Sequence, residues 1–258
     1  MSVQRDHLVS AGVYLLVMAG AFAWLAAGKP MKVVGLFAVS GLATGSLYAL
    51  GGIGLVVLYR ASGVLNIANG AMGAAGVMAA WQLGQWGLPG PLTWIAGIAL
   101  ATALSLTYGR AVAPMLSFQP PVVKAAATLG AALIILGAVN FFWVDDVRKF
   151  SLPSDAIGIK ILGLRVTLTR LIVFLTAIAV VIAIQAYLSR SVRGLQMRSL
   201  ANNRHLSALR GVPILKVETL AWGISGLLAG FTGLMFGDLI RLEPTVITFM
   251  VIPSIAAA

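Results

Sequence analysis

Apolar residues fill this chain in long runs broken by short polar punctuation, with no sustained alternation of the kind that marks a strand. A membrane-spanning helix needs roughly 20 predominantly apolar residues. Runs of that kind predict spans near 8–27, 35–58, 64–86, 92–113, 123–143, 166–188 and 217–237, with the start of another at 246. The expected fold class is an all-α polytopic membrane protein: about seven transmembrane helices plus the start of an eighth, in one transmembrane domain over residues 1–258. The first run follows "RDH" but is long for a signal-peptide core, and no small-x-small cleavage site follows it, so it is expected to stay as a helix. The last run, "VITFMVIPSIAAA", holds only 13 residues, which is too short to cross, so the chain is expected to be truncated.

The longest polar interruption is "SVRGLQMRSLANNRHLSALRGVPILK", residues 191–216. With Arg190, Arg193, Arg198, Arg204, Arg210 and Lys216 and no acid, residues 190–216 belong on the cytoplasmic side. Alternation from there places the N-terminus, Arg60 and the 114–122 turn inside as well. Segments 28–34, 87–91, 144–165 and 238–245 then lie outside. The 144–165 loop mixes Arg148, Lys149, Lys160 and Arg165 with Asp145, Asp146 and Asp155, and a polar outer loop of this kind offers a surface to a soluble partner.

Composition narrows the class further. Hydrophobic residues make up 60% and charged residues 10%, with a mean hydropathy of +0.98, which leaves too little polar surface to solvate a globule. The net charge of +11 comes from basic residues at the ends of apolar runs and in one loop, without interleaved aromatics, so anionic lipid headgroups or an acidic partner fit it and nucleic acid does not. With no cysteine there are no disulfides and no thiolate sites, and His7 and His205 are too far apart in sequence to suggest a paired metal motif. The chain has no phosphate-binding loop of the G-x-x-x-x-G-K-[ST] kind, no H-E-x-x-H and no nucleophile elbow. Intramembrane acid or histidine relays are nearly absent too. If the chain moves a solute, the energy is expected to come from another subunit.

Three local patterns carry candidate chemistry. Leu195, Met197 and Leu200, then Leu206, Leu209 and Val212, recur at helical spacing among Arg and Asn, and Gly211 with Pro213 ends the run. This predicts a basic amphipathic helix over 198–213, suited equally to lipid adsorption and to docking on a protein. In "YRASGVLNIANGAMGAAG", Ser62-Gly63 interrupts the apolar pattern, and Asn66 and Asn69 follow three apart. Those amides either cap a helix or, beside Tyr59, Ser62 and Gly70, line a solute path at a broken helix whose N-terminus attracts a carboxylate. Finally, Gly41–Gly45, Gly226–Gly230 and Gly233–Gly237 are G-x-x-x-G pairs, expected to serve close helix packing.

A resemblance bears on these patterns. "GLQMRSLANNRHLSALRGVPILKVETLAWGISGLLAGFTGLMFG" resembles the cytoplasmic loop and following helix of permease subunits of branched-chain amino acid ABC importers. "SGLATGSLYALGGIGLVVLYRASGVLNIANGAMGAAGVMAAW" is similar to that family's earlier signature, and the likeness runs more thinly from about Val34 to the end. It implies a non-catalytic translocation subunit in a bacterial inner membrane, carrying branched-chain amino acids or related small amphipathic solutes. Its implied partners are a second permease subunit, two cytoplasmic ATPases and an external solute-binding protein. ATP and Mg would be bound by the ATPase, with no cofactor on this chain. On the same resemblance, Arg198, Ala201, Asn202, Asn203, His205, Leu209 and Gly211 form the coupling core that fits a groove on the ATPase. The chain departs from the family pattern at Asn203 and His205, where acidic residues are common, and in reading "NIANG". An ATP-independent channel or facilitator for small polar solutes is the alternative.

Overall fold

Proline places the starts of four long helices. Pro30, Pro89, Pro120 and Pro213 stand immediately before Met31–Ser62 (α1), Gly90–Ala111 (α3), Pro121–Trp143 (α4) and Ile214–Leu239 (α8). Proline suits the entry to a helix because its missing N–H would have no partner there. The computed structural model describes residues 27–117, 119–144, 148, 157–161, 164–240 and 242–257, together with Leu16, Val17, Ala19, Gly20, Ala23 and Trp24. Most of the predicted span at 8–27 lies outside the described residues, as do "DDV", "KF" and "SLPSDA" of the 144–165 loop.

Between these helices run Asn69–Gln85 (α2) and Leu168–Arg190 (α5), then the short Val192–Asn202 (α6) and Arg204–Leu209 (α7). Pro244–Phe249 (α9) and Val251–Ala256 (α10) follow α8. The architecture is helical, and α1, α3, α4, α5 and α8 are long and apolar enough to cross a membrane. Two features differ from the sequence expectation. The predicted span 64–86 shortens to the 17 residues of α2, because residues 63–68 are not helical. Before α5, Gly158–Ile161 (β1) and Leu164–Thr167 (β2) form an antiparallel hairpin that pairs Ile159 with Val166. Its alternating Ile, Val and Thr suit a strand.

The core sits where helices carry the smallest side chains. In α8, 72% of the apolar window is buried at a mean hydropathy of 1.5, whereas in α5 only 11% is buried at 2.6. Lipid solvates large apolar side chains as well as protein does, so the outer helix is the greasier one and the central helix is rich in glycine. A β-carbon on Gly226 would lie 2.5 Å from Ser105 Cβ, one on Gly230 2.8 Å from Ile98 Cα, and one on Gly233 2.5 Å from the Gly73 carbonyl. Gly76 and Gly97 block one another equally, each β-carbon falling 2.6 Å from the other's carbonyl oxygen. These contacts bind α2, α3 and α8 into one unit, with α1 against its side. Gly41 and Gly45 meet nothing within 4 Å, so the same motif is a packing device in α8 and not in α1.

The bundle has two chemically distinct ends. At one, Trp143 Nε1 donates to Gln82 Oε1 at 2.9 Å, Arg148 lies over the Trp81 ring, and the Arg148 N–H donates to the Leu242 carbonyl. At the other, Arg60 and Arg198 line one groove, and Lys124 lies near Arg204 and Glu218. From Leu242 the chain runs through α9 and α10 along α2 and α1, and Ala257 comes beside Arg60 and Arg198 at the basic end.

Gly230→Val is expected to lower stability by about 1–3 kcal/mol through overpacking against α3. Gly41→Val, on an open face, should leave the thermal midpoint of the detergent-solubilised protein within a degree or so. Equal midpoints for the two variants would contradict this account of the packing.

Candidate functional site

The non-helical segment 63–68 begins where α1 closes. Gly63 takes a positive φ of 67° and its N–H donates to the Tyr59 carbonyl, a left-handed cap that glycine adopts without strain. Ser62 locks the turn: its hydroxyl donates to the Leu58 carbonyl at 2.8 Å and accepts from Val64 N–H at 3.2 Å. Thr128 of α4 holds the rest of the segment. Its hydroxyl accepts from Ile67 N–H at 3.1 Å and lies 2.9 Å from the Leu65 carbonyl, to which it can donate. Ile67 N–H also donates to the Leu65 carbonyl at 3.2 Å, and the one Thr128 proton lies between the Leu65 carbonyl and its own helix's Ala125 carbonyl at 2.8 Å, so Thr128 reinforces a turn that is partly paired within itself.

The two asparagines sit at the entrance to α2, and neither caps it. The cap residue is Ala68, and no side chain accepts from the first turn. Asn69 Oδ1 accepts from the Ser225 hydroxyl of α8 at 3.2 Å. Asn66 is fully buried; its amide nitrogen lies 3.9 Å from Met72 Sδ, and its Oδ1 has no hydrogen-bond partner. Gly70 is where α9 approaches: a β-carbon there would fall 2.2 Å from the Thr248 carbonyl oxygen. Asn69, Gly70, Gly73, Thr232 and Ser254 line a cavity of about 20 Å³. That is room for about one water molecule and far too little for an amino acid. Ser62, Asn66, Asn69 and Gly70 therefore belong to one neighbourhood, whereas Tyr59 is 52% exposed on the outer surface of α1.

At the basic end, the single helix expected over 198–213 is two helices. Asn203 takes an extended conformation and its side-chain oxygen accepts from Leu206 N–H at 3.0 Å, which starts α7 afresh. Gly211, at φ 78°, closes α7: its N–H donates to the Ala208 carbonyl while Val212 N–H donates to that of Ser207. The apolar residues divide between the bundle and the outside, within α6 as well as across the break. Met197 and Leu200 are buried in the bundle, whereas Leu195, Leu206 and Leu209 are exposed, Leu209 to 85%. Arg198, Ala201, Asn202, Asn203, His205 and Gly211 are exposed as well.

Several residues were not singled out by sequence pattern. Thr128 and Ser225 are small polar residues in apolar runs, with no spacing to mark them. Lys124 and Glu218 gave a clearer signal, since an ionisable group inside an apolar run is costly unless paired. They are 9% and 7% exposed, and Glu218 accepts a hydrogen-bonded ion pair from Arg204 of α7. Among the described residues, no three His, Cys, Asp or Glu side chains come together as a metal site.

The family described as "Branched-chain amino acid transport system / permease component" matches residues 37–257. The chain belongs to this permease family. The high-affinity branched-chain amino acid transport system permease protein BraD of Pseudomonas aeruginosa is 22% identical to it, over 77% of this chain and 69% of that protein. No solved structure matches. The permease is thus a multi-pass membrane protein of amino-acid transport, and the match covers both the broken segment and the basic loop.

Thr128→Val keeps the side-chain shape and removes the hydroxyl. It should cost about 1 kcal/mol, since the Ile67 N–H and Leu65 carbonyl are left with only their bond to each other. Hydrogen exchange should quicken at Ile67 before it changes at α2. Unchanged exchange at Ile67 would show that Thr128 does not hold the segment.

Proposed function

We propose that this permease is the non-catalytic translocation subunit of an ATP-driven importer of branched-chain amino acids or related small amphipathic solutes. The observation that carries the reading is α7, a short helix projecting Leu206 and Leu209 from the basic end on a rim of Arg198, Arg204 and Arg210. Exposed leucines on a basic rim suit insertion into a groove of another protein. Lipid adsorption needs the same chemistry, but it gives no reason for a capped break at Asn203 that starts a separate helix with Leu206 and Leu209 outward.

In this reading the basic end faces the cytoplasm, as the distribution of Lys and Arg favours, and the N-terminus lies on the same side. Two cytoplasmic ATPase subunits bind ATP and Mg and engage α6 and α7. A second permease subunit completes the path, and an extracytoplasmic solute-binding protein meets the end that carries Arg148 and the hairpin. The membrane is the inner membrane of a bacterium. The broken segment is the solute path: Asn66 and Asn69 offer amide donors and acceptors beside a helix N-terminus, whose partial positive charge favours a carboxylate. The unpaired Asn66 oxygen supports this, since burying an acceptor without a partner costs about 1–3 kcal/mol and such a cost persists where function uses the group.

Leu209→Asp should abolish ATP-driven uptake while insertion and the thermal midpoint stay near wild type, because Leu209 is exposed. Undiminished uptake would remove α7 from the coupling role, and a loss that tracks anionic lipid content would reassign it to the membrane. Asn66→Leu and Asn69→Leu test the path. Altered solute selectivity at a near-normal midpoint is expected, whereas a lowered midpoint with unchanged selectivity would leave these amides as structural.

A further inference from the structure

Three elements bring charges together at the basic end, with Glu218 and Lys124 buried and Arg204 part-exposed. Arg204 opens α7, Glu218 lies in the second turn of α8, and Lys124 lies in the first turn of α4. Arg204 Nη1 donates to Glu218 Oε1, and Lys124 lies close enough to feel both charges. Arg204 pairs with the carboxylate directly, and the charge of Lys124 acts on both from α4. With the carboxylate charge removed the two cations would face one another without a counter-ion.

The positions of these residues on their helices are informative. Thr128, which holds Leu65 and Ile67, is four residues beyond Lys124 and on the same face of α4. Ser225, which holds Asn69, is seven residues beyond Glu218 and on the same face of α8. At 1.5 Å per residue, those spacings are about 6 Å and about 10 Å of helix. Both attachment points of the broken segment therefore lie within two helical turns of the charge group.

We propose that the Arg204–Glu218–Lys124 group is the link that carries displacement of α7 to the 63–69 segment, with Glu218 as its positioning residue. This rests on the reading of α7 as the coupling element. Drawing Arg204 away loads Glu218 and Lys124 together, so α8 and α4 shift at Ser225 and Thr128 and the segment gains or loses its two anchors. Without the carboxylate, α7 moves alone.

Hydrogen exchange on the permease in nanodiscs tests the link without requiring transport. Glu218→Gln and the milder Arg204→Gln should each speed exchange about tenfold in both 204–209 and 63–69, leaving 82–88 at the opposite end unchanged. The charge-swapped double variant R204E/E218R keeps two cations and one carboxylate and should return both windows toward wild type. Faster exchange at 204–209 alone, or equally in all three windows, overturns the proposal. In the assembled complex, Glu218→Gln should retain ATP hydrolysis while uptake falls at least about tenfold, with recovery in the swapped variant. A proportional loss of both activities overturns it too. A wild-type complex without ATP-driven uptake would instead sink the importer reading, while the exchange comparison would still decide the link.

Discussion

Backbone N–H and carbonyl groups inside a bilayer have no water to bond to, and this constraint governs where the permease can break a helix. Residues 63–68 leave helical geometry within the span predicted from 64 to 86, so something else must pair their backbone. Ser62 and Gly63 close α1 locally, and Thr128 of α4 reaches Leu65 and Ile67. The interruption is therefore supported by a neighbouring helix, and it exists only in the folded bundle. The glycines of α2, α3 and α8 serve the same end, bringing helices close enough for short side chains such as Ser225 to reach across.

Much of the architecture was legible in the sequence because lipid imposes a simple length rule. The spans predicted at 35–58, 92–113, 123–143, 166–188 and 217–237 all correspond to helices, with ends displaced by a few residues. The break at Ser62-Gly63 was legible too, since glycine after a polar residue interrupts the pattern and adopts the left-handed cap. The short α2 was not, because "VLNIANG" reads as a continuation of the apolar run unless the reach of Thr128 is known. The basic loop misled for a related reason. Its apolar residues recur at helical spacing across Asn203, yet the asparagine side chain caps a new helix there and resets the periodicity. The spacing alone therefore merged two faces that point to different places, Met197 inward and Leu209 outward.

The candidate site shows the same limit. Asn66 and Asn69 stood out as amides in an apolar run, and the structure brings them to one break together with Ser62 and Gly70. Tyr59, adjacent in sequence, does not join them because α1 turns it outward. Glu218 is the converse case. An acid at the start of an apolar run calls for a partner, but only the structure supplies Arg204, with Lys124 nearby, and so ties the loop to α8. Long-range partners of single polar residues are what a one-dimensional pattern does not contain.

The central claim is that the permease supplies a gated path whose opening is driven from its basic end. Reconstitution in liposomes tests it most directly, by comparing uptake of labelled leucine by the permease alone with uptake by the permease together with the ATPase that copurifies with it. The account predicts no uptake above empty vesicles for the permease alone, and ATP-dependent accumulation once the ATPase and the solute-binding protein are present. Saturable leucine flux through the permease alone, unaffected by ATP, would contradict it and identify a facilitator.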